Sequence, residues 1–130
     1  MNALVVLVPL KPVNPLNARE SHFTRYRRGQ REREALAAAL LLELRTRGVS
    51  ITAKPEAPKR VTFTVHAKRL YDEGDNLASV AKHLRDELIS LGLIHADGPD
   101  SGHVFRYAQR VAKPTGVEIR VELTDERSTP

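Results

Sequence analysis

The spacing of apolar residues changes along this sequence, and each spacing restricts the type of secondary structure that can form. Over residues 60–67 apolar and polar side chains alternate, which is typical of a β-strand with one buried face. Over residues 31–47 leucines recur at Leu36, Leu40 and Leu44, and this spacing predicts an amphipathic helix. An alternating pattern cannot form a helix, and a helical pattern cannot form a strand, without exposing apolar side chains. We therefore expect both helices and strands.

Three further segments have the composition of strands. Residues 2–9 form a β-branched apolar run that stops at Pro9. Two more strands are predicted over residues 103–111 and 117–123, joined by a Lys-Pro-Thr-Gly turn. With the alternating segment described above, the chain is expected to contain four strands.

A second amphipathic helix is predicted over residues 76–91, and Gly92 is expected to stop it. Its apolar face comprises Leu77, Val80, Ala81, Leu84, Leu88 and Leu91. The order of elements is therefore β-α-β-α-β-β, which predicts a single two-layer α+β domain over residues 1–123. Residues 124–130 are expected to form a disordered tail.

Composition narrows the class of protein further. The 130 residues suit one domain, and the absence of cysteine excludes a disulfide scaffold, a Cys-ligated zinc site and a thiol nucleophile. The longest apolar stretches fall well short of the roughly 20 residues that a membrane-spanning helix needs, so no membrane partner is expected. Because no secretory cleavage site is evident, we expect a cytoplasmic protein. A net charge of +5 suits a polyanionic partner.

A basic segment with interleaved aromatic residues precedes the first predicted helix. Its arginines can bind phosphate oxygens bidentately, and Phe23 or Tyr26 could stack on a base. Arginines near the start of a helix oppose the helix dipole, which favours phosphate binding over a merely solvated helix start. The residues expected to contact DNA are Arg19, His22, Arg25, Arg27, Arg28 and Arg31.

Acidic residues are densest just before the second predicted helix, at Asp72, Glu73 and Asp75. Asp75 can act as the N-cap of that helix, because its carboxylate can accept backbone N–H groups. Together with Asp97 and Asp100, beyond the other end of the helix, these carboxylates could instead bind Mg²⁺ or Mn²⁺. The helix would be about 24 Å long. Asp97 could therefore join the cluster only if its loop folds back along the sheet, or if a second subunit supplies it.

Three motifs resemble those of the RusA-like family of Holliday junction resolvases, and in particular of its phage-type members. Residues 72–77, Asp-Glu-Gly-Asp-Asn-Leu, are similar to the family's acidic-x-Asp-Asn-Leu signature. Residues 85–97 are similar to the family's Asp-x-Leu, Gly and closing Asp-Asp. Residues 17–31 are similar to the basic amino-terminal segment of the phage-type branch. The resemblance covers most of the chain, from the first strand to the last.

The resemblance implies a homodimeric, Mg²⁺-dependent endonuclease of a bacterial or phage-infected cell that cuts four-way DNA junctions in recombination and repair. It also implies a small mixed sheet with two helices. Two opposed nicks require two active sites, which a two-fold dimer supplies. By the resemblance, Asp75 and Asp97 are metal ligands, and the third is Glu73 or Asp72. Lys82 would offset the charge that develops on the phosphate.

Three positions depart from the family's pattern. Glu73 stands where the family usually has Asp, Ser79 stands at the position of its lysine, and Ala96 replaces the first of its two closing aspartates. Lys82 lies on the same helix face as Ser79 and can serve in place of the missing lysine. A second hypothesis is therefore a DNA-binding or protein-binding module that kept the fold and lost the chemistry. A third is a protein whose arginines bind an acidic protein surface.

Overall fold

Helices and strands follow one another along the chain as the hydrophobic periods predict. The computed structural model describes residues 3–10, 21–47, 56–68, 70 and 77–124. In chain order the elements are β1 (Ala3–Pro9), α1 (His22–Arg47), β2 (Lys59–Ala67), α2 (Leu77–Val80), α3 (Lys82–Ser90), β3 (Val104–Val111) and β4 (Gly116–Leu123). They form one α+β domain with a four-stranded mixed sheet, which confirms the expected fold class.

The strands do not lie in the sheet in their order along the chain. The order is β1-β4-β2-β3, in which β4 pairs antiparallel with β1 and β2, and β2 pairs parallel with β3. The turn between β3 and β4 therefore joins strands that are not neighbours. It crosses the end of β2, where the Ala112 N–H donates to the Ala67 carbonyl at 3.2 Å. The two strand spacings that it crosses amount to about 9.6 Å, which residues 112–115 span easily.

One face of the sheet carries the apolar core. Val6, Ile119, Phe63 and Tyr107 form a row that crosses all four strands on this face. Phe63 is fully buried, and its ring stacks on that of Tyr107 with 5.5 Å between the centroids. The helices contribute Leu36, Leu40, Val80, Leu84 and Leu88 to the same core. The described helices and the sheet therefore form the two layers that the sequence predicts.

The first helix begins earlier than its leucine pattern predicts, at His22 rather than at residue 31. Ser21 caps it, because the Thr24 backbone N–H donates to Ser21 Oγ at 3.0 Å. Leu36 and Leu40 are buried as predicted, whereas the side chain of Leu44 lies outside the described residues. In the part of the chain that the structure describes, no helix is long and apolar enough to cross a membrane.

The second predicted helix is divided into α2 and α3 at Ala81. The backbone of Ala81 has φ −91° and ψ 3°, which opens the turn, although its N–H still donates to the Leu77 carbonyl at 3.3 Å. Leu91 was predicted to share the apolar face, but it is 42% exposed because it lies beyond the last turn of α3.

Helix α3 ends at Ser90, just before Gly92, the glycine that the sequence predicts as its stop. Gly92 has a φ of +81°, a conformation that other residues adopt only with strain. Its N–H donates to the Ile89 carbonyl and that of Leu93 to the Leu88 carbonyl, both at 3.0 Å. These two bonds form a Schellman motif, and burial of Leu88 and Leu93 supplies its usual apolar contact. The motif turns the chain back towards the sheet.

Helices α1 and α3 pack closely where a glycine of α1 faces a histidine of α3. A Cβ atom added to Gly29 would lie 2.8 Å from the His83 ring, so the imidazole occupies the space that a side chain would need. Near this contact, Arg33 Nε donates to Glu87 Oε1 at 2.8 Å, and Arg33 Nη2 donates to Ser90 Oγ at 3.1 Å. These contacts hold α3, and the residues that it carries, against the first half of α1.

We expect Gly29→Ala to lower the free energy of unfolding by about 1 kcal/mol, as measured by urea denaturation followed by circular dichroism. Alanine favours a helix interior over glycine by up to about 1 kcal/mol. The added methyl group must displace the His83 ring, however, and overpacking of this kind costs about 1–3 kcal/mol.

Two controls isolate the cause of this loss. Gly98→Ala should leave stability unchanged, because a Cβ atom at Gly98 meets no atom within 4 Å. In a His83→Ala background, Gly29→Ala should instead stabilise the protein, because only the helix propensity then remains. Destabilisation in that background as well would contradict the packing argument.

Candidate nucleic-acid and metal-binding site

The first turns of α1 form an exposed basic surface. Residues 21–27 are all exposed, and the first turn of the helix contains no acidic residue. The positive end of the helix dipole lies at the same place and adds to the charge. We define the basic helix end as His22, Phe23, Arg25, Tyr26, Arg27 and Arg31. Four of the residues predicted to contact DNA lie on this surface: His22, Arg25, Arg27 and Arg31.

Two other residues predicted to contact DNA differ from these four. Arg28 is only 8% exposed, and its Nη1 lies 3.7 Å from Glu32 Oε2. It lies beside Gly29, on the side of α1 that packs against His83 of α3. Its guanidinium therefore faces protein rather than solvent. Arg19 lies outside the described residues.

The loop after α3 folds back along the helix and places Asp97 beside Arg85. Arg85 Nε donates to Asp97 Oδ2 at 2.8 Å, and Arg85 Nη1 donates to the Tyr107 hydroxyl at 2.5 Å. Arg85 lies in the first half of α3, and Tyr107 lies in the middle of β3, opposite Phe63. Asp97 therefore lies alongside α3 rather than beyond its C-terminal end. The sequence left open whether this loop folds back or a second subunit supplies the carboxylate, and the acidic residues that Asp97 would have to join lie outside the described residues.

The ion pair favours the charged form of Arg85. Burial would lower the pKa of Arg85, but the tyrosine and the hydrogen-bonded carboxylate raise it by more, so the guanidinium stays protonated. The Asp97 side chain is 34% exposed, against 21% for Arg85. One oxygen of Asp97 is thus held by protein while the side chain keeps access to solvent.

Lys82, predicted to act in catalysis, is the exposed first residue of α3. It precedes Arg85 by three residues, a spacing that places two side chains on neighbouring parts of one helix face. The other predicted metal ligands, Asp72, Glu73 and Asp75, lie outside the described residues.

The described residues do not complete a metal site by themselves. Among them, no group of three or more histidine, cysteine, aspartate or glutamate side chains could hold a metal ion. A site with three such ligands that includes Asp97 must therefore draw at least one of them from outside the described residues. Residues 71–76, which lead into α2, contain three carboxylates that could supply them.

A second polar cluster, which the sequence analysis did not identify, lies where β2 and β3 begin. Lys59 is fully buried, His103 is 8% exposed, and His103 Nε2 lies 3.1 Å from His95 Nδ1. Burial lowers the pKa of His103, as do the neighbouring His95 and Lys59, and burial also lowers the pKa of Lys59. The sequence does contain a signal for the burial of Lys59. This residue lies two positions before Val61, and that spacing places both side chains on the core face of the strand.

No protein-family model and no curated protein matches this sequence. Among solved structures, the chain is similar to the protein Atu1372 of Agrobacterium tumefaciens, which is described as having unknown function. The two share 14% sequence identity with a TM-score of 0.45, over 96% of this chain and 79% of that chain. A similarity at this level assigns neither a family nor an activity.

We expect Arg85→Met to lower the free energy of unfolding by about 1–2 kcal/mol, because the charge-assisted bond to Asp97 and the bond to Tyr107 are both lost. In a double-mutant cycle with Asp97→Asn, the combined loss should be smaller than the sum of the single losses. Arg106→Met, at an exposed position of β3, should change stability by less than about 0.5 kcal/mol. Strict additivity of the two losses would contradict the ion pair.

Stability should also fall in mild acid because of His83. Burial lowers the pKa of His83, and the charges of Arg28 and Lys82 lower it further. The unfolded chain therefore binds the proton more readily, and this contribution is complete above a pH of about 6.5 and is lost as the pH falls through the lowered pKa. Urea denaturation at pH about 7 and about 5 should show a smaller loss in His83→Gln than in the wild type.

The matched control for this titration is His22→Gln, at the exposed start of α1. It should lose as much stability on acidification as the wild type. Equal losses in the wild type and in His83→Gln would show that another group is responsible.

Proposed function

We propose that this protein is a Mg²⁺-dependent, structure-selective DNA endonuclease that cuts four-way junctions by paired nicks. The observation that supports this most is the position of Asp97, whose loop returns along α3 to Arg85. This return places Asp97 beside the first half of α3 rather than beyond the last residue of that helix. We take Asp75, Asp97 and Glu73 as the metal ligands, with Asp72 as the alternative to Glu73.

The chemistry of Asp97 fits a metal ligand. Carboxylates that bind metal ions are themselves commonly hydrogen-bonded, which orients them, and Arg85 does this here at 2.8 Å. A set of carboxylate oxygens without sulfur suits Mg²⁺ or Mn²⁺. When bound, the ion would lower the pKa of an attacking water and stabilise charge on the phosphate. In this proposal Arg85 is a positioning residue, because it acts through Asp97.

Lys82 is proposed to neutralise the scissile phosphate. Its ammonium group lies on the exposed first residue of α3, three residues before Arg85. A cation at this position can stabilise the negative charge that develops on a non-bridging phosphate oxygen.

The basic helix end is proposed to bind the DNA backbone. Arg25, Arg27 and Arg31 are exposed, and guanidinium groups match phosphate oxygens bidentately. Three neutralised phosphates would give a plot of log affinity against log salt a slope of about −3 for each protomer. We propose a homodimer, because two symmetric nicks require two active sites related by a two-fold axis.

Two observations favour a second candidate function, that of a DNA-binding protein with the same fold and no cleavage activity. The Arg85 guanidinium already neutralises Asp97, at 2.8 Å, and therefore competes with a metal ion for the carboxylate. Ala96 also stands where the resembling family has a further aspartate. Both features weaken metal binding without affecting the basic helix end.

The test is to incubate the purified protein with a labelled four-way junction or with linear duplex, in Mg²⁺ or in EDTA. We expect paired nicks in the junction only, and only with the metal ion. Asp75→Asn and Asp97→Asn should each reduce the rate at least about 100-fold, because a ligand carboxylate is lost. Asp100→Asn, at an exposed position of the same loop, is the matched control and should cleave normally.

The other outcomes separate the candidate functions. Retention of the junction without nicks would support the DNA-binding protein, and failure to bind DNA at low salt would contradict both. Arg27→Gln and Arg31→Gln should each make the salt slope less steep by about one unit. Arg60→Gln, at an exposed position of β2 outside the basic helix end, should leave the slope unchanged.

A further inference from the structure

Two aromatic rings stand exposed among the arginines of the basic helix end. Phe23 is 62% exposed and Tyr26 is 61% exposed. They are three residues apart on α1, so their rings lie on neighbouring parts of the helix surface. Because residues 21–27 are exposed on every side of the helix, the described part of the fold does not account for these rings by packing.

Both rings are held by neighbours that leave ring surface open. The Arg27 guanidinium lies over the Phe23 ring, with its carbon 4.4 Å from the ring centroid. The Tyr26 hydroxyl accepts a hydrogen bond from Gln30 Nε2 at 2.8 Å. Aromatic side chains have few rotatable bonds, so rings restrained in this way lose little further entropy when a flat partner stacks on them.

The charge around the rings restricts the partner. No acidic residue occurs between residues 21 and 31, whereas Arg25, Arg27 and Arg31 are exposed. The partner must therefore be a polyanion, and the rings require that it also offers flat apolar faces. Aspartate and glutamate side chains supply charge but no flat apolar face. Bases in an intact duplex are stacked on one another, so nucleotides with unpaired bases present both the phosphate charge and an open face at every residue.

We propose that Phe23 and Tyr26 form a stacking platform for unpaired bases, so that the basic helix end prefers single-stranded nucleotides at a branch point to intact duplex. The inference rests on the proposed function only in taking DNA as the partner. In this arrangement the arginines bind phosphates on any DNA, and the rings supply the preference for DNA whose bases are unstacked.

The test compares binding by the full chain of three labelled probes in EDTA: a short single strand, a branched duplex with unpaired bases, and a linear duplex. Phe23→Leu and Tyr26→Leu each keep an apolar side chain and remove the ring. Each should weaken binding of the single strand and of the branched probe about tenfold, within the range of base–aromatic stacking. Binding of the linear duplex should not change in Tyr26→Leu, and in Phe23→Leu, which also removes the ring under Arg27, it should weaken less than binding of the single strand.

A spectroscopic signal reports the stacking directly. A fluorescent adenine analogue at the unpaired position should be quenched by the wild type and much less by Phe23→Leu. Leu41→Ala and Leu42→Ala are matched controls, because these side chains are 56% and 66% exposed on the same helix. They should neither weaken binding nor change the quenching. Thermal melts should show that all variants fold, since both rings are exposed.

Three results would overturn the proposal. The first is binding of the single strand by both ring variants as tightly as by the wild type. The second is an equal loss of single-strand and duplex binding. The third is wild-type protein that binds anionic vesicles but none of the three probes.

The nuclease proposal is tested separately, by cleavage of the junction in Mg²⁺. Junction cleavage with no ring effect overturns the stacking platform alone. Ring-dependent binding without cleavage supports the platform and contradicts the nuclease.

Discussion

The parallel pairing of β2 with β3 is the constraint on which the rest of this structure depends. Parallel neighbours cannot be joined by a tight turn, so the chain between them must cross over one face of the sheet, and α2 and α3 provide that crossover. The segment before α2 follows the end of β2, whereas the loop with Asp97 precedes the start of β3. In a simple crossover that loop would lie beyond the C-terminal end of α3. The Schellman motif at Gly92 and the bond from Arg85 to Asp97 bring it back beside the first half of α3.

Arg85 connects stability to the proposed chemistry. It binds a carboxylate from the crossover loop and a hydroxyl from β3, so one side chain ties three parts of the fold together. The same bond orients Asp97 and partly neutralises it. One quantity that separates the nuclease from the binding protein is therefore the affinity of a metal ion for this carboxylate relative to that of the guanidinium.

The basic helix end exists because α1 extends beyond the helix on which it packs. The first buried residues of α1 are Arg28 and Gly29, where it contacts α3. Within the part of the chain that the structure describes, the turns before them are exposed, so they can carry arginines and aromatic rings without loss of packing. The leucines in the second half of α1 thus anchor this helix on the core, while its first turns stay exposed to a partner.

Local patterns in the sequence determined the fold class, the buried face of β2 and the end of α3, because an alternation of period two, a helical stripe and a glycine act within a few residues. They did not determine the start of α1, since exposed turns carry no apolar pattern and only the Ser21 cap marks them. Four of the residues predicted to contact DNA are exposed, whereas the burial of Arg28 depends on the approach of α3. The position of Asp97 likewise depends on Arg85, a residue distant in the chain. Only the tertiary structure decided these features, because each arises from contacts that no local spacing encodes.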